Sequence, residues 1–260
     1  MMEERKQKEI ELQNKIRGKK LKENISNYRR LTSNRKFYSI IRQSVNFLNN
    51  YLLKEFKGKK VLDYGCGDGN ISVFLAKNGI DIVGIDIADI RIKNSKKLAV
   101  KEGMGDRTSF FVMDAEKTTF PDNYFDGILC TGVLHHLDIE KAFKEIARIL
   151  KPDGSIICNE PLAYNPIFQL YRRLTPHLRS EWEMHHILSK KDIKEGEKYF
   201  RKVEKRFFHL FSLLAVPFRN SKLFNFVLWP LEKIDLLILK LPFVKWWAWQ
   251  IIFILSKPKK

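Results

Sequence analysis

The sequence predicts an α/β fold, a largely parallel sheet with helices on both of its faces. Short apolar runs of strand length recur between residues 60 and 160, and stretches with helical spacing alternate with them. The connections are short, so strand and helix follow each other in the order that winds a parallel sheet. With 260 residues and 44% hydrophobic side chains, the chain can bury one sizeable core with elaborations.

Residues 3–31 are charged, with sparse apolar positions at Ile10, Leu12, Ile16, Leu21, Ile25 and Tyr28. That spacing predicts a thinly amphipathic helix within a basic N-terminal extension over 1–34. From Phe37 to Phe56, Tyr38, Ile41, Val45, Leu48 and Leu52 recur every three or four residues, predicting one helix beside the first strand, ended by Gly58. Strands are expected at Lys60–Tyr64, Asp81–Asp86, Thr108–Asp114, Phe125–Cys130 and Ser155–Asn159, with helices at Ile71–Asn78, Ile90–Glu102 and Ile139–Leu150. Pro121, Asp122 and Asn123 supply turn chemistry ahead of the fourth strand.

After Pro161 the pattern turns irregular, and Ser189 reads as the N-cap of a short helix ending near Phe200. Val203–Leu214 is expected as a sixth strand, Leu223–Leu241 as an apolar helix interrupted by Pro230, and Trp246–Lys257 as the last strand. The domain thus occupies 35–260, with inserted cap segments at about 161–200 and 215–245.

Charge and cysteines bound the functional classes. The net charge is +18, and residues 1–60 hold a local +11 of it, a balance that favours anionic surfaces such as lipid headgroups or nucleic acid. Cys66, Cys130 and Cys158 form no C-x-x-C pair and have no His at ligand spacing, so neither a metal site nor a disulfide framework is expected. Free buried thiols and a charged start, Met1–Lys8, predict a chain of the reducing cytosol without a signal peptide.

The first strand ends in Asp63 and Tyr64 and turns through Gly65, Cys66, Gly67, Asp68, Gly69 and Asn70 into a helix. A dinucleotide fingerprint needs G-x-G-x-x-G, whereas the glycines here fall as G-x-G-x-G with Asn70 in the third glycine's place, which disfavours a pyrophosphate. A carboxylate at Asp63 repels anions and suits a cationic amine, directly or through water. Asp86, 21 residues after Gly65, can accept from both ribose hydroxyls. Asp114 can accept from an adenine amino group beside Ala115, a small residue that admits the ring.

Together V-L-D-Y-G-C-G-D-G-N, G-I-D-I-A, D-A, F-D-G-I-L-C-T-G-V-L-H-H-L and L-K-P-D-G-S-I, over about residues 35–160, resemble the class I methyltransferases. The resemblance is particularly to the broad type 11 group, which includes quinone-biosynthesis enzymes. The resemblance implies a Rossmann-like seven-stranded sheet with a reversed last strand, and S-adenosylmethionine across the carboxyl ends of strands one and two. It implies Gly65, Cys66, Gly67 and Gly69 against the methionine and ribose part, Asp86 and Ile87 at the ribose, and Asp114 and Ala115 near adenine. Thr131 and Leu134 would line the sulfonium side, and Arg35–Tyr38 resembles the entry segment that covers the cofactor, with Tyr38 among its contacts.

Methyl transfer from a sulfonium needs alignment and water exclusion more than a metal. For a hydroxyl or acidic-carbon acceptor, His135 and His136 after the fourth strand are the candidate bases, with Glu160, His185 and His186 as further polar groups near the mouth. The segment Glu160–Arg179 has the composition of a lid that selects the acceptor. Phe207–Trp249 is dense in Leu, Phe, Trp and Ile, with Lys222, Lys233, Lys240 and Lys245 at intervals. A small lipophilic or lipid-linked acceptor is therefore expected, with O- or C-methylation at an anionic inner membrane face. Nucleic acid is a weaker partner: an RNA methyltransferase would use the basic N-terminus, yet Cys130–Val133 does not match the tetrapeptide of base N-methylators. A non-catalytic cofactor-binding protein is the remaining alternative.

Overall fold

Alternate side chains along the central strands enter two different cores, so the sheet is covered on both faces. In the computed structural model, Leu62, Ile128, Ile156 and Phe253 pack with Phe143 and Ile146 on one side. Val61, Leu129, Ile157 and Ile252 pack with Leu48, Leu52 and Leu75 on the other. The period of two along each strand produces this division. The structure describes residues 2–22, 35–175, 182 and 186–260.

The strands are β1 (Lys60–Tyr64), β2 (Asp81–Asp86), β3 (Thr108–Val112), β4 (Phe125–Thr131), β5 (Leu150–Pro161), β6 (Phe200–Phe208) and β7 (Gln250–Pro258). They form one seven-stranded sheet in the order β3-β2-β1-β4-β5-β7-β6. β1 to β5 are parallel, and β7 runs antiparallel to both β5 and β6. The expected α/β class, with its reversed last strand, is the one observed.

The described helices are α1 (Met2–Lys22), α2 (Arg35–Tyr38), α3 (Arg42–Glu55), α4 (Asn70–Lys77), α5 (Asp89–Lys101), α6 (Ile139–Ile149), α7 (Pro166–Leu174), α8 (Lys190–Lys198) and α9 (Phe224–Ile238). At the start of α8, Ser189 and Asp192 form a reciprocal capping box, as the Ser189 signal implied.

Several boundaries differ from the sequence expectation, β5 among them, which runs over Leu150–Pro161 and not only Ser155–Asn159. The helix expected over Phe37–Phe56 is two helices, because the chain turns at Ser39–Ile41 and sends Phe37 and Ile40 into a cluster with Phe168, Leu213 and Trp249. β3 stops at Val112, leaving Asp114 in the following loop. β6 stops at Phe208 because His209 adopts φ +67, and the backbone N–H groups of Leu210, Phe211 and Ser212 turn to the Asp235 carboxylate. The last strand begins at Gln250, since Val244–Trp247 coils into a 3-10 turn. The tail of the N-terminal helix, with Ile25 and Tyr28, lies outside the described residues.

Candidate active site

The strand order reverses between β1 and β4, and the loops leaving the carboxyl ends of β1 to β4 open a cleft there. Gly65, Asp86, Ile87, Asp114 and Ala115 line it, joined by Thr131 and His136. These residues come from four separate loops, and the parallel sheet brings them together.

The glycine turn has to be glycine where it passes β4. Gly65 has φ +84, and a Cβ there would lie 2.4 Å from Val133. Its N–H and that of Cys66 both donate to the Ile85 carbonyl, at 2.9 and 2.8 Å, which pins the turn to the end of β2. Gly69, at φ +79, starts α4 and packs where any Cβ would meet Ser95 at 2.6 Å.

Asp86 braces the same turn. Its Oδ2 accepts from the Gly67 N–H at 3.1 Å and its Oδ1 from the Ala88 N–H at 2.9 Å. Burial raises its pKa above the usual carboxylate range, against the opposing pull of Arg91. A carboxylate has about four lone-pair sites, so two remain for a diol in the cleft. Asp114 is arranged alike: Oδ1 accepts from the Glu116 N–H at 2.9 Å, and Oδ2 meets Lys6 Nζ at 2.6 Å.

Several expected contacts lie elsewhere. Asp63 is buried beneath the turn and accepts from Ser72 Oγ of α4 at 2.6 Å, and it is not among the residues that line the cleft. Burial pushes its pKa up to about 6. The Cys66 side chain faces a core of Val73, Ile92 and Phe110, and Leu134 is wholly buried in the main core, so neither side chain faces the cleft. Gly67 and Gly69 are not among the lining residues, though Gly67 abuts Asp86 and Arg91, which are. Tyr38 lies apart, its ring 6.2 Å from that of Trp249.

The two candidate bases part company. His136 lines the cleft, with Nδ1 3.5 Å from Glu9 Oε2. His135 turns away and its Nδ1 meets Glu160 Oε2 at 2.8 Å. Glu160, buried at the end of β5, also accepts at Oε1 from the N–H groups of Val133 (2.8 Å) and Leu134 (2.9 Å). It therefore clamps the loop after β4 and is not exposed to an acceptor. His185 lies outside the described residues, and His186 stacks on Trp182 at 3.5 Å.

Sequence reasoning missed the upper wall, which α1 and Trp182 supply. Arg5 pairs with Glu116, Lys6 bridges Asp114 and Glu116, and Gln13 bonds Arg91 of α5. Burial raises the Glu9 pKa, and His136, Gln13 and Arg91 together more than offset it, bringing it to about 2. Trp182 donates from Nε1 to the His135 carbonyl at 3.1 Å, beneath the Arg5 guanidinium. Nothing local marks these residues, because their partners lie between 47 and 131 positions away along the chain.

The cleft suits a neutral or zwitterionic nucleoside. Its carboxylates keep acceptor capacity for hydroxyl and amino donors, and Thr131 Oγ1 is buried in its wall with no hydrogen-bond partner. Glu9, Asp86 and Asp114 are balanced in the lining by Arg5, Lys6 and Arg91, and Arg91, close over Gly67, offers a cation for one carboxylate.

Residues 62–158 match the family described as "Methyltransferase domain". The chain is 36% identical over 121 residues to the sterol 24-C-methyltransferase of Aspergillus fumigatus, covering 45% of this chain and 32% of that protein. It is 37% identical over 107 residues to the ubiquinone/menaquinone biosynthesis C-methyltransferase of Rickettsia massiliae, covering 38% and 43%. The chain thus spans less than half the length of these curated relatives. A solved geranyl diphosphate C-methyltransferase from Streptomyces coelicolor A3(2) superposes with a TM-score of 0.57 at 13% identity, over 82% of this chain and 79% of that one, a likeness of fold.

Proposed function

We propose, starting from a chain whose residues 62–158 form a class I methyltransferase domain of the type 11 group, that it transfers a methyl group to a small lipophilic or lipid-linked acceptor. The observation that carries the transfer is the cleft itself: a glycine turn braced by Asp86, with Asp114 opposite and no phosphate cradle. S-adenosylmethionine supplies an electrophilic methyl on a sulfonium. Gly65 approaches its aminoacyl part, with Arg91 available to its carboxylate. Asp86 takes the ribose hydroxyls and Asp114 the adenine amino group, beside Ala115. Thr131 gives its unpartnered hydroxyl to the polar end of the ligand. α1 and Trp182 close the cleft above, excluding water while the nucleophile, methyl and sulfur align.

His136 is the base candidate that reaches the cleft, and His135 with Glu160 positions the loop that carries it. The lipophilic acceptor is supported by the curated relatives named for sterol and quinone methylation and by the apolar cap beside the site. Pairing of Arg5 and Lys6 with Glu116 and Asp114 removes two N-terminal cations from phosphate binding, which disfavours the RNA alternative. No described helix is long and apolar enough to cross a membrane, and the reading has the chain work peripherally at a cytoplasmic membrane face.

The test incubates purified chain with methyl-tritiated S-adenosylmethionine and a membrane lipid extract, then partitions the products between solvent and water. Label in the solvent phase is expected. Label confined to water-soluble products overturns the lipophilic acceptor, and cofactor binding without any transfer across a broad metabolite pool leaves a non-catalytic binder.

A further inference from the structure

We propose that the cap face built by Ser212–Phe218, α9 and Val244–Trp247 is an anchor that lies in the plane of an anionic membrane. α9 is turned inside out for a helix on a water-facing surface. Its carboxylates point inward, with Glu232 4% and Asp235 1% exposed, whereas Phe226 and Trp229 point outward at 81% and 61%. Leu223, Leu237, Leu241 and Phe243 continue the outward apolar face, and Phe243 is 85% exposed. A contiguous apolar surface of this kind marks a contact with another phase or partner.

The inward carboxylates are pins that hold this orientation. Glu232 takes the Arg42 guanidinium, with Nε at 2.7 and 2.9 Å from its two oxygens. Asp235 accepts from the backbone N–H groups of Leu210, Phe211 and Ser212 at 3.2, 2.6 and 3.1 Å. Rolling α9 to bury Phe226 and Trp229 would break both sets of bonds, so the apolar face stays outside.

Charge selects the occupant. Between Ser212 and Trp247 the only acidic residues are Glu232 and Asp235, both buried, and the outer charges Lys222, Lys233 and Lys240 are all cationic. Two copies apposed through this face would bring cations together, whereas an anionic headgroup layer pairs with them. Lys233 Nζ lies over the Trp229 ring, 5.6 Å from its centroid, and a long aliphatic stem lets such a cation reach headgroups while the ring meets acyl chains. Fifteen residues of α9 span about 22 Å, short of the roughly 30 Å of a hydrocarbon core, so the helix lies along the surface.

Behind the face lies an apolar layer that reaches the end of β5. Leu213 and Leu228 share a cluster with Phe37, Phe168 and Trp249, and the Trp249 carbonyl takes the Leu162 N–H just beyond Glu160. Use of the anchor to meet a lipophilic acceptor rests on the methyltransferase reading; membrane binding does not.

Sedimentation of the full chain with vesicles tests the anchor. Phosphatidylcholine vesicles serve as the neutral control and phosphatidylcholine with phosphatidylglycerol as the anionic surface. The chain is expected to sediment with the anionic vesicles, with partitioning about a hundredfold weaker in Trp229→Ser/Phe243→Ser. The preference for phosphatidylglycerol is expected to vanish in Lys222→Glu/Lys233→Glu/Lys240→Glu. A far-ultraviolet circular dichroism spectrum and urea midpoint equal to wild type show that each variant folds. Failure to sediment with either vesicle, or wild-type partitioning of the apolar double variant, overturns the proposal. So does a concentration-dependent dimer dissolved by Phe243→Ser. Absence of homocysteine-nucleoside binding in the wild type would sink the methyltransferase reading and leave the vesicle result standing.

Discussion

At the scale of single residues, the Asp86 carboxylate that accepts from Gly67 and Ala88 also lines the cleft, so under the proposed function it couples the shape of the glycine turn to ligand recognition. Asp86→Ala is expected to lose both braces and the acceptor for the diol, weakening S-adenosylhomocysteine binding by about a hundredfold, at hydrogen-bond strengths of ~1.5 kcal/mol each. Titration calorimetry reads this, and unchanged affinity in the variant contradicts it. Asp63 makes a different prediction. Burial raises its pKa from 3.8 to about 6, opposed by the Ser72 bond. Between those values the folded chain holds a proton that the unfolded chain has lost, so this group's stabilisation is present at low pH and disappears as pH rises to about 6. The effect is on the order of 3 kcal/mol. Asp63→Asn is expected to gain on the wild type in urea midpoint as pH rises from about 4 to about 7, and a pH-independent difference would contradict the assignment. Asp63 shows what spacing reveals and what it hides. Its place beside the glycine turn is legible from the sequence, but whether its oxygens point up to a ligand or down to Ser72 depends on packing across the sheet.

At the scale of elements, α1 closes the cleft through ion pairs that reach across the chain, from Arg5 to Glu116 and from Lys6 to Asp114. Their partners lie 111 and 108 residues away, so no local pattern announces them. The basic start reads from sequence as a surface for polyanions, whereas two of its cations are spent inside the protein. Glu116 is nearly fully buried, and stripping its partners leaves a carboxylate uncompensated. Arg5→Ala/Lys6→Ala is therefore expected to release α1, with its amides exchanging freely and cofactor dissociating roughly tenfold faster, a dissociation rate obtained from stopped-flow displacement. Protection of α1 equal to wild type would contradict this. The strands were legible for the opposite reason: apolar runs such as Val61–Leu62 and Ile156–Ile157 must fill both cores whatever surrounds them. The break between α2 and α3 was not legible, because no Gly or Pro stands at Ser39–Ile41 and the turn answers to Phe37 and Ile40 packing on distant Trp249.

At the scale of the whole molecule, the two proposed surfaces approach each other at the end of β5. On one side of Glu160 lies the loop after β4 that walls the cleft, and on the other the aromatic layer beneath α9. The cap's outward apolar face was foreshadowed by the density of Leu, Phe and Trp with interspersed Lys, yet its orientation follows only from the buried partners of Glu232 and Asp235. The account depends first on what the cleft holds. Titration of the purified chain with S-adenosylhomocysteine and, separately, with NAD is its most direct test. The account predicts one equivalent of the homocysteine nucleoside bound saturably and no heat of binding from the dinucleotide. Saturable NAD binding with no binding of S-adenosylhomocysteine would contradict it.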